Sequence, residues 1–329
     1  MKIVVVGFGT IGQGFARILS ERGEALARHG ARVQVVGVMD SKSAIVDPRG
    51  LEVARLLSTK KSTGAVGKDK MDLQEVMTKA DADAVVELTP GTMSGEPALS
   101  HIKSALGASK NVITANKMPL ALHFNALNRA AERRHVRLLY SACVGGGLPI
   151  LEFGRECAAA EPVDKIEGVV NATTNFILSE MEKGVRYGSA LKQAQTLGYA
   201  EPDPSFDVDG LDAACKIVIL ANHVMGAGFK LNDVKPLSGI GGITPARVVG
   251  ARRNGNALRL VAKASRTPSV ALTEVPANSP LAATGRSHAV VFHCRYSAER
   301  TIMGSGAGSV TTSLGVLRDL LSLGTGTAA

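Results

Sequence analysis

The fold is decided by the first nineteen residues, MKIVVVGFGTIGQGFARIL (1–19). The apolar run from Ile3 to Val6 predicts a buried parallel strand, and Gly7, Gly9 and Gly12 follow it with the spacing G-x-G-x-x-G. The first glycine permits a tight turn, the second lets the backbone approach a pyrophosphate, and the third lets the following helix pack on the strand. Because the start of that helix offers free N–H groups to phosphate, the stretch predicts a dinucleotide-binding turn.

A second predicted strand, from Val33 to Met39, ends at Asp40. The Asp40 carboxylate could accept hydrogen bonds from an adenosine ribose, although an aspartate here could also simply start a turn. Lys42, two residues later, could instead bind a 2′-phosphate. The sequence therefore leaves the choice between NAD and NADP open.

Strand and helix patterns alternate along the first half of the chain, at residues 84–88, 96–106, 111–114, 119–134 and 136–140. This alternation predicts an α/β protein with a Rossmann-type, doubly wound parallel sheet. After residue 145 the pattern changes to helices followed by strands, including a strand region at 248–271, which predicts a second α+β domain with a mixed sheet. We expect a dinucleotide-binding domain of residues 1–138 with 306–329, and a substrate-binding and dimerisation domain of residues 139–305.

Composition narrows the class of protein. A chain of 329 residues suggests two domains, and four cysteines without a C-x-x-C pair suggest a reducing, intracellular environment and no zinc. The start of the chain resembles no signal peptide and no apolar run is long enough to span a membrane, so we expect a cytoplasmic protein without a membrane partner. The net charge of +9 is concentrated at 245–300. We interpret it as a solvated face that attracts anionic ligands rather than nucleic acid, since aromatic residues are only 4% and Trp is absent.

The stretch GYAEPDPSFDVDGLDAACK (198–216) combines five carboxylates with one lysine. Its prolines predict a stiff extended loop, after which Asp207 or Asp209 caps a helix. Asp212 and Lys216 then stand at positions i and i+4, on one face of that helix. Such a pair is often a solvated surface pair. Because apolar residues follow it, we favour a site in which the lysine moves a proton.

Two further segments end predicted strands at the edge where open α/β sheets bind ligands. VELTP (86–90) places Thr89 there, and VITANK (112–117) places Asn116 and Lys117 there. Lys117 could be a cationic group beside the nicotinamide and the substrate, or an ordinary loop lysine. VGGGLP (144–149) puts three glycines where the chain leaves the first domain, so backbone carbonyls could point at a ligand.

Together these segments resemble homoserine dehydrogenase over nearly the whole chain. The resemblance implies reversible reduction of L-aspartate 4-semialdehyde to L-homoserine with NAD(P)H, on the route to threonine, methionine and isoleucine, by a homodimer. It also implies a short form without the C-terminal regulatory domain, so we expect no threonine feedback through such a domain. The segments that carry the resemblance are GFGTIG (7–12), TANK (114–117), VGGGLP (144–149), NATTNFIL (171–178), GYAEPDPSFDVDGLDAACK (198–216) and GSGAG (304–308).

The resemblance also implies roles for individual residues. Lys216 would protonate the aldehyde oxygen, and Asp212 would orient the substrate and this lysine. Lys117 would be a second lysine between cofactor and substrate, and an alternative proton-transfer group. Glu201 would bind the substrate amino group, and Asp207 would add a polar contact. The implied cofactor contacts, together with the glycines of the turn and Asp40, are Phe8, Thr10, Ile11, Thr89, Lys117 and Gly304. The implied monovalent-cation site, for sodium, consists of the backbone carbonyls of Ser141, Val144, Gly146 and Leu148; many family members have glutamate where Ser141 stands.

Two other functions remain to be weighed. Aspartate-semialdehyde dehydrogenase acts on the same aldehyde but needs a cysteine nucleophile, for which Cys143 is the candidate. A catalytically silent protein that senses nucleotides is the second alternative, and the intact Asp212–Lys216 pair argues against it.

Overall fold

The computed structural model describes residues 1–28, 32–306 and 308–324. The chain forms two compact units, of which the first comprises Met1–Gly147 with Ser309–Ala329 and the second comprises Leu148–Gly308. Each unit has its own sheet.

The first unit is a six-stranded sheet with helices between its strands. The strands lie in the order β3-β2-β1-β4-β5-β6, and all pairings are parallel except that of β2 with β3. Chain order reverses between β1 and β4, so the open crevice of this sheet lies at that switch point. The elements are β1 (Lys2–Val6), α1 (Thr10–Arg28), β2 (Gln34–Met39), β3 (Ala44–Val46), α2 (Val53–Thr63), α3 (Leu73–Ala80), β4 (Ala84–Glu87), α4 (Ala98–Gly107), β5 (Asn111–Thr114), α5 (Lys117–Arg133), β6 (Leu138–Leu139) and α12 (Ser309–Gly324).

The core of the first unit follows from the uninterrupted apolar strands. Ile3, Val5 and Val86 of the central strands are almost completely buried and pack with Phe15 of α1 and Val316 of α12. A parallel strand that is covered on both faces needs such a continuous apolar run. The structure therefore confirms the Rossmann-type sheet that the sequence predicted.

The second unit is a five-stranded sheet with helices packed against it. Its strands lie in the order β11-β10-β7-β8-β9, and every ladder is antiparallel. The elements are α6 (Ile150–Ala160), β7 (Val163–Val169), α7 (Ala172–Glu182), α8 (Tyr187–Thr196), α9 (Ser205–Val208), α10 (Leu211–Met225), α11 (Pro245–Arg253), β8 (Asn256–Ala264), β9 (Pro268–Pro276), β10 (Ser287–Cys294) and β11 (Ala298–Ser305).

Three expectations need correction. The second sheet is antiparallel rather than mixed, because β8–β9 and β10–β11 are hairpins joined by short connections. Residues 248–253, expected to begin a strand region, lie instead in α11, because Thr244 caps that helix and Pro245 stands at its first turn. The expected domain boundary at 138 lies at Gly147, since the amide and hydroxyl of Ser141 both donate to Asp319 of α12 within the first unit.

Part of the predicted basic face is also structural. Arg259 is fully buried, and its guanidinium donates to Glu182 Oε1 at 2.5 Å and to the carbonyl of Ala283 at 2.8 Å. Among the described residues, no helix combines the length and the apolar character that crossing a bilayer requires.

Candidate active site

The glycine turn of the first unit has the geometry that its spacing predicts. Gly7 has a φ of +93°, and a Cβ there would lie 2.5 Å from the backbone of Leu88. A Cβ on Gly12 would lie 2.2 Å from the carbonyl oxygen of Gly7, so α1 can approach β1 only without a side chain. A Cβ on Gly9, in contrast, would meet nothing within 4 Å. The turn therefore leaves open space beside Gly9 where a pyrophosphate could approach, and it fits a dinucleotide.

Other residues expected at the cofactor surround this turn. Phe8 is buried in the core of the first unit, whereas Thr10 is exposed and is the first residue of α1, where backbone N–H groups lack helical partners. Ile11 follows on the same turn and is partly buried. The placement of Thr10 suits an anion at the start of the helix.

Asp40 lies at the end of β2 and forms an ion pair with a residue that the sequence did not suggest. Its Oδ2 lies 2.6 Å from the ammonium of Lys60, and its Oδ1 accepts from the amides of Lys42 and Ser43. Burial by itself would raise the pKa of Asp40, but these hydrogen bonds outweigh it and lower the pKa below its usual value. The charged carboxylate is thus neutralised by a nearby lysine, at the position where a ribose or a 2′-phosphate is read.

The predicted residues at the ends of β4 and β5 lie close together. The side-chain amide of Asn116 donates to the carbonyl of Thr89 at 3.3 Å. Asn116 is the residue before α5, and Lys117 is the first residue of that helix. Glu87, which the sequence reading missed, accepts a hydrogen bond from the Thr89 amide at 3.1 Å.

In the second unit, the predicted pair on α10 forms as expected. Lys216 Nζ lies 2.6 Å from Asp212 Oδ2 and donates to the carbonyl of Val170 at 2.6 Å. The side chains are only 12% and 4% exposed, so this is a buried pair rather than a solvated one. A charge pair in such a place is strongly held only if its remaining polar atoms are bonded.

Asn171 and Thr173 connect this pair to Asp207. The Asn171 amide nitrogen lies 2.7 Å from Asp207 Oδ1 and 2.8 Å from Asp212 Oδ2, so it donates between two carboxylates. The Thr173 hydroxyl lies 2.7 Å from Asp207 Oδ2. Burial, together with the charge of Asp212, raises the pKa of Asp207 above its usual value. The cluster therefore concentrates two acids and one ammonium in a poorly solvated place, as functional sites often do.

The helix that carries the pair begins differently from the expectation. Gly210, in the left-handed conformation with φ of +89°, precedes α10, and neither Asp207 nor Asp209 caps it. Asp207 lies instead in the one-turn helix α9, and residues 205–208 are not extended. Because its carboxylate is bonded to Asn171 and Thr173, Asp207 is not available as a cap.

Glu201 and Gly304 both lie in the second unit. Glu201 is exposed on the loop before α9, and its backbone carbonyl accepts from the side chain of Gln195 at 3.2 Å. A Cβ on Gly304 would lie 2.8 Å from the side chain of Leu148. Both assignments stay predictions.

Three of the four carbonyls expected to bind sodium accept hydrogen bonds from the chain. The guanidinium of Arg318, on α12, donates to the carbonyl of Gly146 at 3.0 Å and to that of Gly147 at 2.9 Å. The Ser141 carbonyl accepts from the Val144 amide at 3.2 Å. In the second unit, the Leu148 carbonyl accepts from the amide two residues later at 2.9 Å. The Arg318 guanidinium already supplies positive charge to the Gly146 carbonyl, but each carbonyl oxygen has a second lone pair, so sodium binding at these residues stays a prediction.

Cys143 is buried, and its thiol donates to the carbonyl of Thr114 at 3.4 Å. A thiol in this setting is not placed to attack a substrate, because a nucleophilic cysteine needs access and stabilisation of its thiolate.

The sequence did not suggest four residues of these clusters: Lys60, Glu87, Asn171 and Thr173. A single acid that ends an apolar strand and an asparagine that precedes a helix both have ordinary structural explanations. Asn171 is indeed also a cap, since its side-chain oxygen accepts from the Thr174 amide at 2.8 Å. The available signal was the polar run NATTN (171–175) directly after a buried strand.

Comparison with known proteins assigns both units. The family described as "Homoserine dehydrogenase, NAD binding domain" matches residues 7–141, and the family "Homoserine dehydrogenase" matches residues 149–321. A homoserine dehydrogenase from Methanocaldococcus jannaschii is 37% identical, with 98% of both chains covered.

Solved structures agree. The crystal structure of a putative homoserine dehydrogenase from Archaeoglobus fulgidus has a TM-score of 0.92 and 38% identity, and the match covers 98% of this chain and 99% of that one. A hyperthermophilic archaeal homoserine dehydrogenase in complex with NADPH has a TM-score of 0.84 and 28% identity, and the match covers 99% and 98%. The chain therefore belongs to the homoserine dehydrogenase family, whose members are NAD(P)-dependent oxidoreductases that interconvert L-homoserine and L-aspartate 4-semialdehyde.

Proposed function

We propose that Lys216 is the proton-transfer group of this homoserine dehydrogenase and that Asp212 fixes its position. The observation that carries the proposal is the buried contact of 2.6 Å between them. An ammonium has three N–H donors, and two of those of Lys216 are directed to Asp212 and to the Val170 carbonyl. The third donor can be directed to a substrate oxygen.

The charge balance of the reaction explains why a cation is useful there. When bound, the nicotinamide ring exchanges a hydride with the substrate carbon that carries this oxygen. In the reducing direction the carbonyl oxygen becomes a developing alkoxide, so a fixed ammonium stabilises the transition state more than the ground state. Lys216 can then protonate the oxygen, and in the oxidising direction it accepts the proton from the hydroxyl.

The cofactor would be held by the first unit. The turn Gly7–Gly12, including Phe8, Thr10 and Ile11, would take the pyrophosphate, and Thr89 and Lys117 would approach the nicotinamide end. Gly304 of the second unit stays a proposed cofactor contact on the resemblance alone. We keep Lys117 as the alternative proton-transfer group, because it too begins a helix at a ligand-binding edge of the sheet.

We propose that the acidic loop recognises the substrate's ammonium group. Glu201 is exposed on the loop before α9, and Asp207 presents a carboxylate that is oriented by Asn171 and Thr173. Replacing Glu201 with Gln should chiefly raise KM for homoserine, because the partner of the ammonium is lost while the proton-transfer group stays. An unchanged KM would count against this assignment.

Both cofactors should be accepted. The Asp40 carboxylate can accept hydrogen bonds from a ribose, as in NAD-binding proteins. The Lys60 ammonium pairs with this carboxylate and the Lys42 amide donates to it, so both lysines lie close enough to attract a 2′-phosphate instead. The Lys60→Ala variant should raise KM for NADP more than KM for NAD. Equal changes for the two cofactors would show that Lys60 only pairs with Asp40.

Our proposal includes no sodium ion, because Arg318 already donates to the Gly146 carbonyl, one of the four carbonyls expected to bind it. It does include a homodimer, because the edge strand β11 of the second unit alternates between exposed and half-buried residues and would be covered by a second copy. Light scattering of the purified chain tests this directly, with twice the chain mass expected. We further propose that the enzyme acts in the biosynthesis of threonine, methionine and isoleucine.

The experiment that tests the function is a rate measurement. Purified protein with L-homoserine and NAD or NADP should increase absorbance at about 340 nm, where reduced nicotinamide absorbs, and the Lys216→Ala variant should lose this activity by about 10²–10⁴. Reduction of NADP with semialdehyde that requires phosphate would instead favour aspartate-semialdehyde dehydrogenase, although buried Cys143 opposes it. No turnover with either substrate would favour a silent nucleotide sensor.

A further inference from the structure

Glu87 is a completely buried carboxylate that ends the strand β4. The residues before it on this strand, Ala84, Val85 and Val86, are apolar and equally buried. A charge in such a place is costly unless hydrogen bonds satisfy it. We therefore expect this buried carboxylate to have a specific structural or functional role.

The two oxygens of this carboxylate contact two different segments. Oε1 accepts from the amide of Thr89 at 3.1 Å and also from the Thr89 hydroxyl. Oε2 accepts from the hydroxyl of Thr114, at the end of β5, at 3.1 Å. Each oxygen thus holds the segment that follows one of two neighbouring parallel strands.

The network closes on itself at the start of α5. The Thr114 oxygen accepts from the amide of Asn116 at 3.0 Å, and the Asn116 side chain donates to the carbonyl of Thr89 at 3.3 Å. Lys117 follows directly as the first residue of α5. His101, on α4, places its Nδ1 3.7 Å from Glu87 Oε1.

We propose that Glu87 is a positioning residue for the cofactor site: through Thr89 and Thr114 it fixes the two strand ends from which Thr89 and Lys117 reach the bound dinucleotide. This inference rests on the proposed function of those two residues. It follows from the geometry because residues beyond a strand end lose the ladder that holds the strand itself. The last backbone contact between the two segments, from the Ala115 amide to the Glu87 carbonyl, is long at 3.4 Å.

The variant Glu87→Gln tests this inference with nearly the same shape. An amide offers only one accepting oxygen, so one of the two threonines loses its carboxylate acceptor and can keep only a weaker, neutral contact in which the Gln amide donates to its hydroxyl. We expect the Kd for NADPH or NADH, measured by fluorescence, to rise about tenfold, as one lost charge-assisted hydrogen bond implies. In the protein without cofactor, we expect faster hydrogen–deuterium exchange at the amides of Thr89 or Asn116.

A second variant and a control keep the test decisive. Thr114→Val removes the contact to Glu87 Oε2 together with the acceptor of the Asn116 amide, so exchange should accelerate at Asn116 and not at Thr89, and the cofactor Kd should rise, even if Glu87→Gln fails to fold. Val85→Ala creates a cavity in the same strand without touching the network, and it should lower the melting temperature while Kd stays at the wild-type value.

The outcomes are separable from the failure of the proposed function. Wild-type Kd together with unchanged exchange at both amides in Glu87→Gln and Thr114→Val would overturn the inference. A raised Kd without any change in exchange would also overturn it, since the carboxylate would then act other than by positioning. Absence of homoserine oxidation by the wild-type protein would refute the function but would leave the binding and exchange results readable.

Discussion

Asn171 should be the most sensitive polar residue of the second unit, because one amide nitrogen donates to both Asp207 and Asp212. A hydrogen bond to a charged group is worth about 1.5–3 kcal/mol, and a helix cap is worth about 1 kcal/mol. Serine can keep the cap but cannot reach the carboxylates. We therefore expect Asn171→Ser to lower the free energy of unfolding of this unit by about 3 kcal/mol, and Asn171→Ala by about 1 kcal/mol more.

The pH dependence gives this prediction its sign. The pKa of Asp207 is already raised by burial and by Asp212, and loss of the amide donor should raise it further. A carboxyl whose pKa is higher in the folded state destabilises that state at high pH, and this penalty disappears as pH falls towards the unfolded value of about 3.9. The deficit of Asn171→Ser should therefore be smaller near pH 4.5 than at pH 8, and the acidic limb of kcat/KM should move to higher pH.

Urea unfolding at the two pH values, followed by circular dichroism, measures the deficit. Asn222→Ser is a matched control, since Asn222 is a buried asparagine of the same unit whose side-chain amide bonds to the backbone of Phe229 and, among the described residues, to no carboxylate. Its deficit should not depend on pH. The reasoning is refuted if Asn171→Ser stays within about 0.5 kcal/mol of the wild type, the usual range of a neutral surface substitution.

Three further predictions concern other parts of the chain. Gly9→Ala should abolish cofactor binding while the melting temperature stays normal, because a Cβ meets nothing there within 4 Å. Gly12→Ala, whose Cβ would lie 2.2 Å from the Gly7 carbonyl oxygen, should lose both cofactor binding and stability. Equal melting temperatures of the two variants would contradict this difference. Burial lowers the pKa of His223 to about 4, so the unfolded state gains a proton first as pH falls below about 6.5, and the free energy of unfolding should decline by about 3 kcal/mol towards pH 4. In His223→Gln this free energy should depend less steeply on pH. An equally steep dependence would exclude His223 as the cause. The melting temperature and kcat of the wild type should be the same in NaCl and in choline chloride of equal ionic strength. Arg318→Ser should be stabilised specifically by Na⁺, because the carbonyls of Gly146 and Gly147 lose the guanidinium that donates to them. A sodium requirement of the wild type would contradict this prediction.

The sequence predicted the first unit well because its signals are local. An apolar strand, three glycines at fixed spacing and a helix with Phe15 on its inner face lie within nineteen residues, and strand ends of a parallel sheet meet at one edge whatever the details. The Asp212–Lys216 contact was predictable for the same reason, since one helical turn fixes it.

What failed depends on partners distant in sequence. The donors that hold Asp207 lie 36 and 34 positions away, at Asn171 and Thr173, and no pattern near Asp207 announces them. Glu87 finds Thr114 at a separation of 27 residues in the same way. Residues 248–253 were expected in a strand because their valines favour one, although Thr244 and Pro245 before them are a typical start of a helix.

The central claim, that the Lys216 ammonium moves the proton, is tested most directly by kcat for homoserine oxidation in the Lys216→Met variant, with the cofactor Kd measured on the same sample. The double variant Asp212→Asn/Lys216→Met removes the buried charge that Lys216→Met alone leaves unpaired at Asp212. We predict that kcat falls by about 10²–10⁴ in both variants, the usual contribution of general acid–base catalysis, while the cofactor Kd is unchanged. A kcat within a few fold of the wild type in either variant would contradict the account.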